Sequence, residues 1–369
     1  MKFDIDRDVL LEPLQFVSGV VKKEQTLPVL SNILVRCENG ELELTATDQE
    51  VELCARITDF ALYKEGETTL PARKLLDICK SLTTGSRISF EIENKWMAVE
   101  SGRFSSHLAM LPATEFPDID MERDSIGFGI TSASFKALLD KTAFAMAQQD
   151  VRYFFNGMLF ELDEKMVRTV ATNGQRLAIS SLEGEFSGLP ADITQIIVPR
   201  KGIIELGRML KDEDLPVEVI FTRNHIRVTS QTAMLTSKLI DGAYPDYQRA
   251  IPANSDKLVI ADRKALREAL TRTAILSNEM YRNVRLELMN DNVVLHANNP
   301  QQEEAEENVA VDYSGEMLEI GFNVGYLIDA LGAIDGDTVH LAFSGGGNPV
   351  LITDPENDKS RFVISPMML

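Results

Sequence analysis

The 369-residue sequence contains few of the residues that build disulfide frameworks or metal centres. It has 3 cysteines, 4 histidines and 1 tryptophan, and the cysteines lie within the first third of the chain. An odd number of widely spaced cysteines predicts reduced thiols rather than disulfides or a zinc cluster. The longest apolar runs are too short for a membrane span, and MKFDIDRDVL lacks the apolar stretch of a signal peptide. We therefore expect a cytoplasmic protein that does not bind membranes.

The sequence also lacks a catalytic motif. It contains no GxxxxGK[ST] loop, no GxGxxG opening a helix and no HExxH. SGGGNP at 344–349 lies between two strand-like runs and is typical of a hairpin turn. The acidic run QQEEAEE at 301–307 could bind a divalent cation, but acids adjacent in a strand point to alternate faces, which favours a solvated or partner-facing edge. We expect neither an enzyme nor a bound metal or cofactor.

Positive charge is scarce, since the net charge is −20 and the pI is near 4.7. Such a protein is repelled by DNA at long range. Screening limits charge effects to about 8 Å at physiological salt, so a local basic surface can still act on DNA. The distribution of charge along the chain therefore matters more than its sum.

Three segments begin alike, at residues 3, 128 and 258, with a short strand followed by a capping residue and an amphipathic helix. The predicted caps are Asp6, Ser132 or Ser134, and Asp262. Each helix precedes an alternating hairpin pattern, at 33–48, 158–173 and 284–299. A second helix and another hairpin complete each copy. We predict an α+β protein of three like domains, 1–124, 125–252 and 253–369, each with two helices and roughly eight strands.

The helices carry an excess of basic residues. The predicted helices, 7–23, 73–80, 134–148, 200–211, 263–276 and 323–334, contain 16 Lys and Arg but 7 Asp and Glu, so they sum to +9 and the rest of the chain to −29. Two of them open with adjacent cations, PARKLLDICKSL and PRKGIIELGRML, where the helix dipole favours acids. Lys and Arg are good helix formers, but so is Glu. The segregation therefore indicates a negatively charged partner facing the helices.

Whole-chain resemblance to the bacterial DNA polymerase sliding clamps, the beta subunits of the replicative polymerase, appears in eight ordered stretches. These are TLPVLSNIL, QDVRYFFNGMLFE, TVATNGQRLA, VPRKGIIEL, TSKLIDGAYPDY, AILSNE, NNPQQEEAEE and IGFNVGYLIDAL. The resemblance implies the DNA-clamp fold, with two helices packed on antiparallel sheets in each domain. It also implies a head-to-tail homodimer that forms a six-domain ring, holds duplex DNA by topology and reads no base sequence.

The resemblance assigns residues to three surfaces. The DNA-facing set implied by the resemblance is Arg73, Gln149, Tyr153, Phe154, Arg200, Lys201 and Arg208, and we add Lys22 and Lys23 as neighbouring cations that could replace a loop arginine. Glu24 stands where the first-domain loop commonly carries arginine. The dimer-interface set is Lys74, Arg103, Ile275, Leu276, Glu303, Glu304 and Glu307, with Lys74 and Arg103 facing the partner's acids, and Ser106 stands where an aromatic residue is frequent.

The third surface implied is a groove for short peptides of the polymerase catalytic subunit, the clamp loader, other polymerases and repair proteins. Its residues are Thr172, Gly174, Arg176, Leu177, Pro245, Arg249, Asn323, Tyr326, Val363, Pro366 and Met367. Gln175, Ser365 and Met368 depart from the common pattern. A pocket of aliphatic walls, methionine and arginine stems suits several partners in turn.

Two other interpretations of the residues remain open at this point. One is an acidic repeat scaffold that binds peptides but never encircles DNA. The other is a metal-dependent hydrolase that uses QQEEAEE.

Overall fold

The computed structural model describes residues 1–22, 27–119, 121–122, 124–253 and 255–368 as a mixture of helices and antiparallel sheets. The α-helices are α1 (Arg7–Ser18), α2 (Ala72–Ser81), α3 (Ser132–Asp140), α4 (Arg200–Met209), α5 (Arg263–Thr273) and α6 (Val324–Gly332). None of the helices in the described ranges is long and apolar enough to cross a membrane.

The strands recur in the same order in each repeat, except that the first repeat has the additional strand β5. In the first they are β1 (Lys2–Asp6), β2 (Asn32–Glu38), β3 (Glu41–Thr47), β4 (Val51–Ile57), β5 (Ala61–Lys64), β6 (Gly66–Pro71), β7 (Arg87–Glu93), β8 (Trp96–Ser101) and β9 (Phe104–Ala109). In the second they are β10 (Ile126–Thr131), β11 (Gly157–Asp163), β12 (Met166–Thr172), β13 (Arg176–Glu183), β14 (Thr194–Pro199), β15 (Pro216–Phe221), β16 (His225–Thr229) and β17 (Ala233–Lys238). In the third they are β18 (Lys257–Asp262), β19 (Asn283–Met289), β20 (Asn292–Asn298), β21 (Glu304–Asp312), β22 (Leu318–Asn323), β23 (Thr338–Phe343), β24 (Val350–Asp354) and β25 (Asn357–Ile364).

The chain divides into two compact units. Unit 1 comprises Met1–Lys136, Ser187–Leu189 and Lys201–Leu239, and unit 2 comprises Ala137–Phe186, Pro190–Arg200 and Ile240–Leu369. Unit 1 holds the sheets β5-β1-β7-β8-β9 and β10-β15-β16-β17-β4-β3-β2-β6, and unit 2 holds the sheet β14-β11-β12-β13-β25-β24-β23-β18-β21-β20-β19-β22. The middle repeat contributes to both units, because β17 pairs with β4 and β13 pairs with β25. The boundaries after residues 124 and 252 stay a prediction about where the repeats end.

The three predicted hairpins are present as β2–β3, β11–β12 and β19–β20. The first turns at Asn39 and Gly40, which both have positive φ, at 53° and 78°. This conformation matches the strand twist and favours Asn-Gly in two-residue hairpin loops. The alternating apolar residues bury one face of each hairpin, for example Leu42 and Leu44 in β3.

Several helices end earlier than predicted. The helix predicted at 134–148 stops at Asp140 and gives way to a 3-10 turn at Ala143–Ala145. The buried Thr142 hydroxyl donates to the carbonyl of Leu138 at 2.8 Å and forms a hydrogen bond with the Thr169 hydroxyl at 3.0 Å. These bonds hold the segment after α3 inside unit 2. The helix cap is Thr131, whose hydroxyl accepts from the Ser134 N–H at 3.3 Å, and not Ser132 or Ser134 as predicted.

With the observed bounds the helices contain 12 Lys and Arg against 7 Asp and Glu, so the excess is +5 rather than +9. Half of the fall arises from Lys22 and Lys23, because α1 ends at Ser18, and the other half arises from Lys141 and Lys211, which follow the ends of α3 and α4. The helices are still basic in an acidic chain. The segregation inferred from the sequence therefore persists in weaker form.

Buried carboxylates anchor both segments that connect the repeats. In unit 2, Glu161 accepts from the Tyr247 hydroxyl at 2.7 Å, from Arg168 Nη1 at 3.1 Å and from Gln195 Nε2 at 2.9 Å. Tyr247 belongs to the 3-10 turn Tyr247–Ala250 within the second connecting segment. The network fixes that turn, and the turn forms one wall of the cleft described below.

In unit 1 the buried carboxylate next to the first connecting segment is Glu52 of β4, which is 4% exposed. Burial, with a smaller contribution from Asp118, raises the pKa of Glu52 to about 7, although Arg227 opposes the shift. Arg227 Nη2 also donates to the carbonyl of Ile119 at 3.1 Å, which ties the first connecting segment to β16.

Candidate functional site

A tight turn before β13 organises the candidate peptide site. The Thr172 hydroxyl accepts from the Gly174 N–H at 3.0 Å and donates to the Arg176 carbonyl at 2.6 Å. Asn173 Oδ1 accepts the N–H groups of Gln175 at 2.9 Å and Arg176 at 3.0 Å. Gly174 has a φ of +89°, and a Cβ there would lie 2.9 Å from Arg152 Nη1. The turn is therefore held by a threonine, an asparagine and a glycine, residue types that are common in such turns.

A cleft of about 480 Å³ lies beside this turn in unit 2. Leu177 and Val363, which are register partners on β13 and β25, form its buried floor. Arg249 and residues 250–253 of the connecting segment form one wall, and the turn between β23 and β24, including Asn348 and Pro349, also lines the cleft. Its volume lies within the range of small-molecule ligand sites, and its lining combines polar and apolar groups.

Six residues of the predicted peptide set line this cleft: Thr172, Gly174, Arg176, Leu177, Arg249 and Val363. Gln175 and Ser365, two of the positions that depart from the common pattern, line it as well. The remaining predicted residues lie outside its lining: Pro245, Asn323, Tyr326, Pro366 and Met367. Met367 N–H donates to the Gly321 carbonyl at 2.8 Å, so the C-terminal segment lies along the end of β22.

Arg176 links the turn to α6. Its Nη1 lies 2.6 Å from Asp329 Oδ2, and its Nη2 donates to the carbonyl of Phe144. The guanidinium stands over the Tyr326 ring with its Cζ 4.4 Å from the ring centroid, a cation–π distance. The side chain is 13% exposed, so it is a structural support of the cleft rather than a mobile surface cation.

A second cleft of about 670 Å³ lies on the other side of the same turn and shares Gly174, Gln175 and Arg176 with the first. Gln149 and Arg200, two predicted DNA contacts, line this second cleft. Gln149 has a φ of 58°, and Arg200 Nη1 donates to the Met146 carbonyl at 3.3 Å. The predicted DNA and peptide residues are therefore neighbours in unit 2, which the sequence did not reveal.

The loop before β11 carries two further predicted DNA contacts. Tyr153 is 55% exposed and meets the half-buried Phe154 edge to face, with ring centroids 5.6 Å apart. Phe154 in turn packs on the Phe155 ring at 4.7 Å. Nearby, the side-chain hydrogen bond from Arg152 lowers the pKa of Asp150 to about 2, so these two groups form an ion pair at ordinary pH.

In unit 1 the predicted DNA contacts Lys22 and Lys201 meet at one carboxylate. Lys22 Nζ lies 3.0 Å from Asp48 Oδ2, and Lys201 Nζ forms a short hydrogen bond to the same oxygen. Arg208 of α4 is exposed and pairs with the buried Glu205 at 2.8 Å. Arg73 is exposed at the start of α2. Lys23 and Glu24 lie outside the described residues.

The predicted interface residues lie in the first and third repeats, and five of the seven are exposed. In unit 1, Lys74 is exposed on α2, and Arg103 is exposed in the turn before β9. In unit 2, Ile275 is 76% exposed, Leu276 is half-buried, and Glu303 and Glu304 are exposed at the start of β21. Glu307 is bound within the chain by Arg272, whose Nε lies 3.1 Å and 3.2 Å from its two oxygens.

The sequence did not single out Phe144, Asp329 or the segment 250–253 as parts of the site. Phe144 and Asp329 stand far from the turn in sequence and meet Arg176 only through the fold. Arg152, which lies beside Gly174, was not singled out either. It belongs to the quoted motif QDVRYFFNGMLFE, so the sequence did contain a signal for it. The described residues contain no group of three or more His, Cys, Asp and Glu able to hold a metal.

The chain is similar to known proteins over its whole length. The chain matches the DNA polymerase III beta subunit as N-terminal domain at residues 1–120, central domain at 129–246 and C-terminal domain at 248–368. It is 49% identical to the beta sliding clamp of Pseudomonas aeruginosa and 44% identical to that of Escherichia coli, each over the full length of both chains.

Solved structures agree. A Pseudomonas aeruginosa sliding clamp bound to griselimycin has a TM-score of 0.94 at 49% identity, and one from Bartonella birtlesii bound to griselimycin has 0.95 at 35%. Both matches cover all of both chains. The fold is thus that of the DNA sliding clamps, with three like domains in one chain.

The chain belongs to the DNA polymerase III beta subunit family, the beta sliding clamps. It is a non-catalytic processivity factor of DNA replication.

Proposed function

We propose that two copies of this chain join head to tail into a closed ring that encircles duplex DNA in the cytoplasm. The ring tethers the replicative polymerase, and it binds the clamp loader, other polymerases and repair proteins through short peptides. The observation that carries this proposal is a pair of strand joints within the chain and a matching pair of unpaired strand edges.

The two internal joints have the same register. In unit 1, β17 of the second repeat pairs with β4 of the first, with Leu235 opposite Leu53. In unit 2, β25 of the third repeat pairs with β13 of the second, with Phe362 opposite Ala178. Each joint brings the last strand of one repeat to the fourth strand of the repeat before it.

Within the described residues, one last strand and one fourth strand are left without such a joint. The last strand of the first repeat, β9, is the outer strand of its sheet. The strand of the third repeat equivalent to β4 and β13 is β21, which pairs with β18 only at Val311 and Asp312 within the described residues. Exposed strand edges invite pairing with another chain. Joining β9 to β21 of a second copy removes both edges and repeats the internal joint.

The internal joints also predict the register of the joint between copies. The pairing within each hairpin shows which residues occupy the same position in different repeats. Ser106 occupies the position of Leu235 and Phe362 on the last strand of its repeat. Ala305 occupies the position of Leu53 and Ala178 on the fourth strand. Ser106 should therefore lie opposite Ala305 of the second copy. The same register sets His107 opposite Glu304 and Phe104 opposite Glu307, so the turn that holds Arg103 lies close to the acidic strand β21 of the second copy. Such a heterologous contact closes when two copies complete the circle.

The basic helix starts support a DNA-facing inner surface. Arg73, Arg200 and Lys201 all lie within the first turn of a helix, where the dipole disfavours cations by about 0.3–1 kcal/mol each. Attraction to closely spaced phosphates outweighs that penalty. Because a closed ring holds DNA by topology, weak contacts without base reading suffice and permit sliding.

The cleft beside Arg176 supports the proposed peptide site. It offers aliphatic side chains for apolar anchors, together with amide and guanidinium groups for a polar residue such as glutamine. Two relatives were solved with griselimycin bound, which is consistent with a ligand site in this family. A labelled peptide with one glutamine and two apolar anchors should bind the wild-type protein and lose affinity when Leu177 is replaced by Asp.

The ring proposal is tested by retention on DNA. The protein is loaded on nicked circular DNA with clamp loader and ATP, and release is followed before and after linearisation. We expect long retention on the circle and rapid loss after cutting. Equal release from circular and linear DNA would refute encirclement, and it would favour the peptide-binding scaffold instead.

A further inference from the structure

Asp48 lies beneath two of the lysines assigned to the DNA-facing surface. Its side chain is 1% exposed, whereas the side chain of Lys22 is 55% exposed and that of Lys201 is 27% exposed. Lys22 Nζ is 3.0 Å from Asp48 Oδ2, and Lys201 Nζ shares that oxygen and also lies 3.4 Å from the Val20 carbonyl. One buried carboxylate thus holds two cations from two different repeats, all within unit 1.

The carboxylate is charged. Burial alone would raise the pKa of Asp48, but hydrogen bonds from Lys201, the Val51 N–H and Lys22 outweigh it and lower the pKa. The hydrogen bond to Asp48 also raises the pKa of Lys22, with Glu50 adding to the effect. The cluster of one carboxylate and two ammonium groups therefore has a net charge of +1 rather than +2.

We propose that Asp48 is a positioning residue that limits the affinity of the ring for DNA, because it competes with the phosphates for Lys22 and Lys201. Moving either lysine fully onto a phosphate would leave a buried carboxylate with less compensation, which is costly. The lysines therefore stay with Asp48 and attract DNA through their net field. The inference rests on the proposed DNA-facing surface.

The second repeat provides an internal comparison. The position equivalent to Asp48 is Asn173, whose Oδ1 accepts the N–H groups of Gln175 and Arg176 at 2.9 Å and 3.0 Å. Asp48 Oδ1 accepts those of Glu50 and Val51 at 3.1 Å and 3.0 Å. An asparagine therefore supports the same turn without charge. In the third repeat the residue equivalent to Lys201 is Gly325. The joint in unit 2 therefore has neither the carboxylate nor the lysine.

The test uses the full-length protein and a short fluorescent duplex, without clamp loader, over a series of salt concentrations. We expect Asp48→Asn to bind the duplex up to about fivefold more tightly at 0.15 M salt and to steepen the salt slope by up to about 0.9, the value for one additional phosphate contact. Adding Lys201→Ala to Asp48→Asn should restore the wild-type slope. Asp48→Ser, which can cap the same turn, is the second variant with the same expectation.

Asp59→Asn is the matched control, because it removes the same charge at an exposed position in unit 1. An equal gain in this control would attribute the effect to overall charge and overturn the inference. Unchanged or weaker binding by Asp48→Asn and Asp48→Ser would also overturn it. The proposed DNA surface is tested separately by Lys22→Ala with Lys201→Ala. If that double variant binds as tightly as the wild type, the surface itself is wrongly assigned.

Discussion

The Tyr247 hydroxyl connects the buried centre of unit 2 to the wall of the peptide cleft, so Tyr247→Phe should affect both stability and binding. The hydroxyl donates to Glu161 Oε2 at 2.7 Å, and Arg168 Nη1 reaches the same oxygen at 3.1 Å. Hydrogen bonds to charged groups contribute about 1.5–3 kcal/mol. Since Arg168 and Gln195 still satisfy the carboxylate, we expect a loss of stability near the lower limit, about 1.5 kcal/mol.

A loss of that size should lower the unfolding temperature of unit 2 by about 3 to 6 °C, measured by calorimetry. Because Tyr247 begins the turn that carries Arg249, the labelled peptide should also bind a few-fold more weakly by fluorescence anisotropy. Tyr63→Phe is the matched control. Its hydroxyl donates to Asp4 at 3.1 Å but the residue is 60% exposed, so its change should stay within about 0.5 kcal/mol.

The reasoning would be refuted if Tyr247→Phe and Tyr63→Phe had equal effects on stability. A loss of stability without any change in peptide affinity would show that the hydrogen bonds of Glu161 do not shape the cleft. In that case the connecting segment would be held by other contacts.

Further perturbations test other parts of the structure. Because the pKa of Glu52 is raised from 4.5 to about 7, the folded state binds the proton more tightly, and its stability should fall as pH rises from about 4.5 to about 7. Glu52→Gln should flatten that fall by on the order of 3 kcal/mol in denaturant titrations at several pH values, and an unchanged profile would contradict the shift. Arg176→Lys keeps the charge but loses the fork and the ring stacking, so peptide affinity should drop about tenfold by anisotropy while Arg361→Lys on β25 has little effect. Arg73→Ala should reduce the salt slope of duplex binding by about 0.9, and an unaltered slope would remove it from the DNA surface.

The sequence was sufficient to predict the repeats, the hairpins and most strands, because alternation over four to eight residues is a strong local signal. Helix ends were harder to predict. The pattern at 134–148 remains apolar past Asp140, but the helix ends there, next to the buried Thr142 hydroxyl with its bonds to Leu138 and Thr169. Local sequence cannot specify a hydrogen bond to a residue 27 positions away.

The candidate site shows the same limit. Thr172 and Gly174 were identifiable from the motif TVATNGQRLA, whose turn chemistry is local. The position of Gln149 and Arg200 beside the same turn depends on tertiary packing, and so does the pairing of Lys22 with Lys201 through Asp48. Charge segregation predicted a basic surface but not the carboxylates beneath it.

Ring closure in one defined register is tested most directly by a disulfide between copies. Residues opposite each other in antiparallel strands have Cβ atoms about 4.5–5.5 Å apart, close enough for a disulfide after small adjustments. The native thiols of Cys37, Cys54 and Cys79 are buried, and burial raises the pKa of each to about 12, so they should not compete. Mild oxidation of Ser106→Cys with Ala305→Cys should give covalent dimers that stay on nicked circular DNA in denaturant. The control Ser106→Cys with Glu304→Cys, slipped by one residue, should crosslink poorly because the side chains point to opposite faces. Crosslinking of the slipped pair alone, or of neither pair, would contradict the ring proposed for this chain.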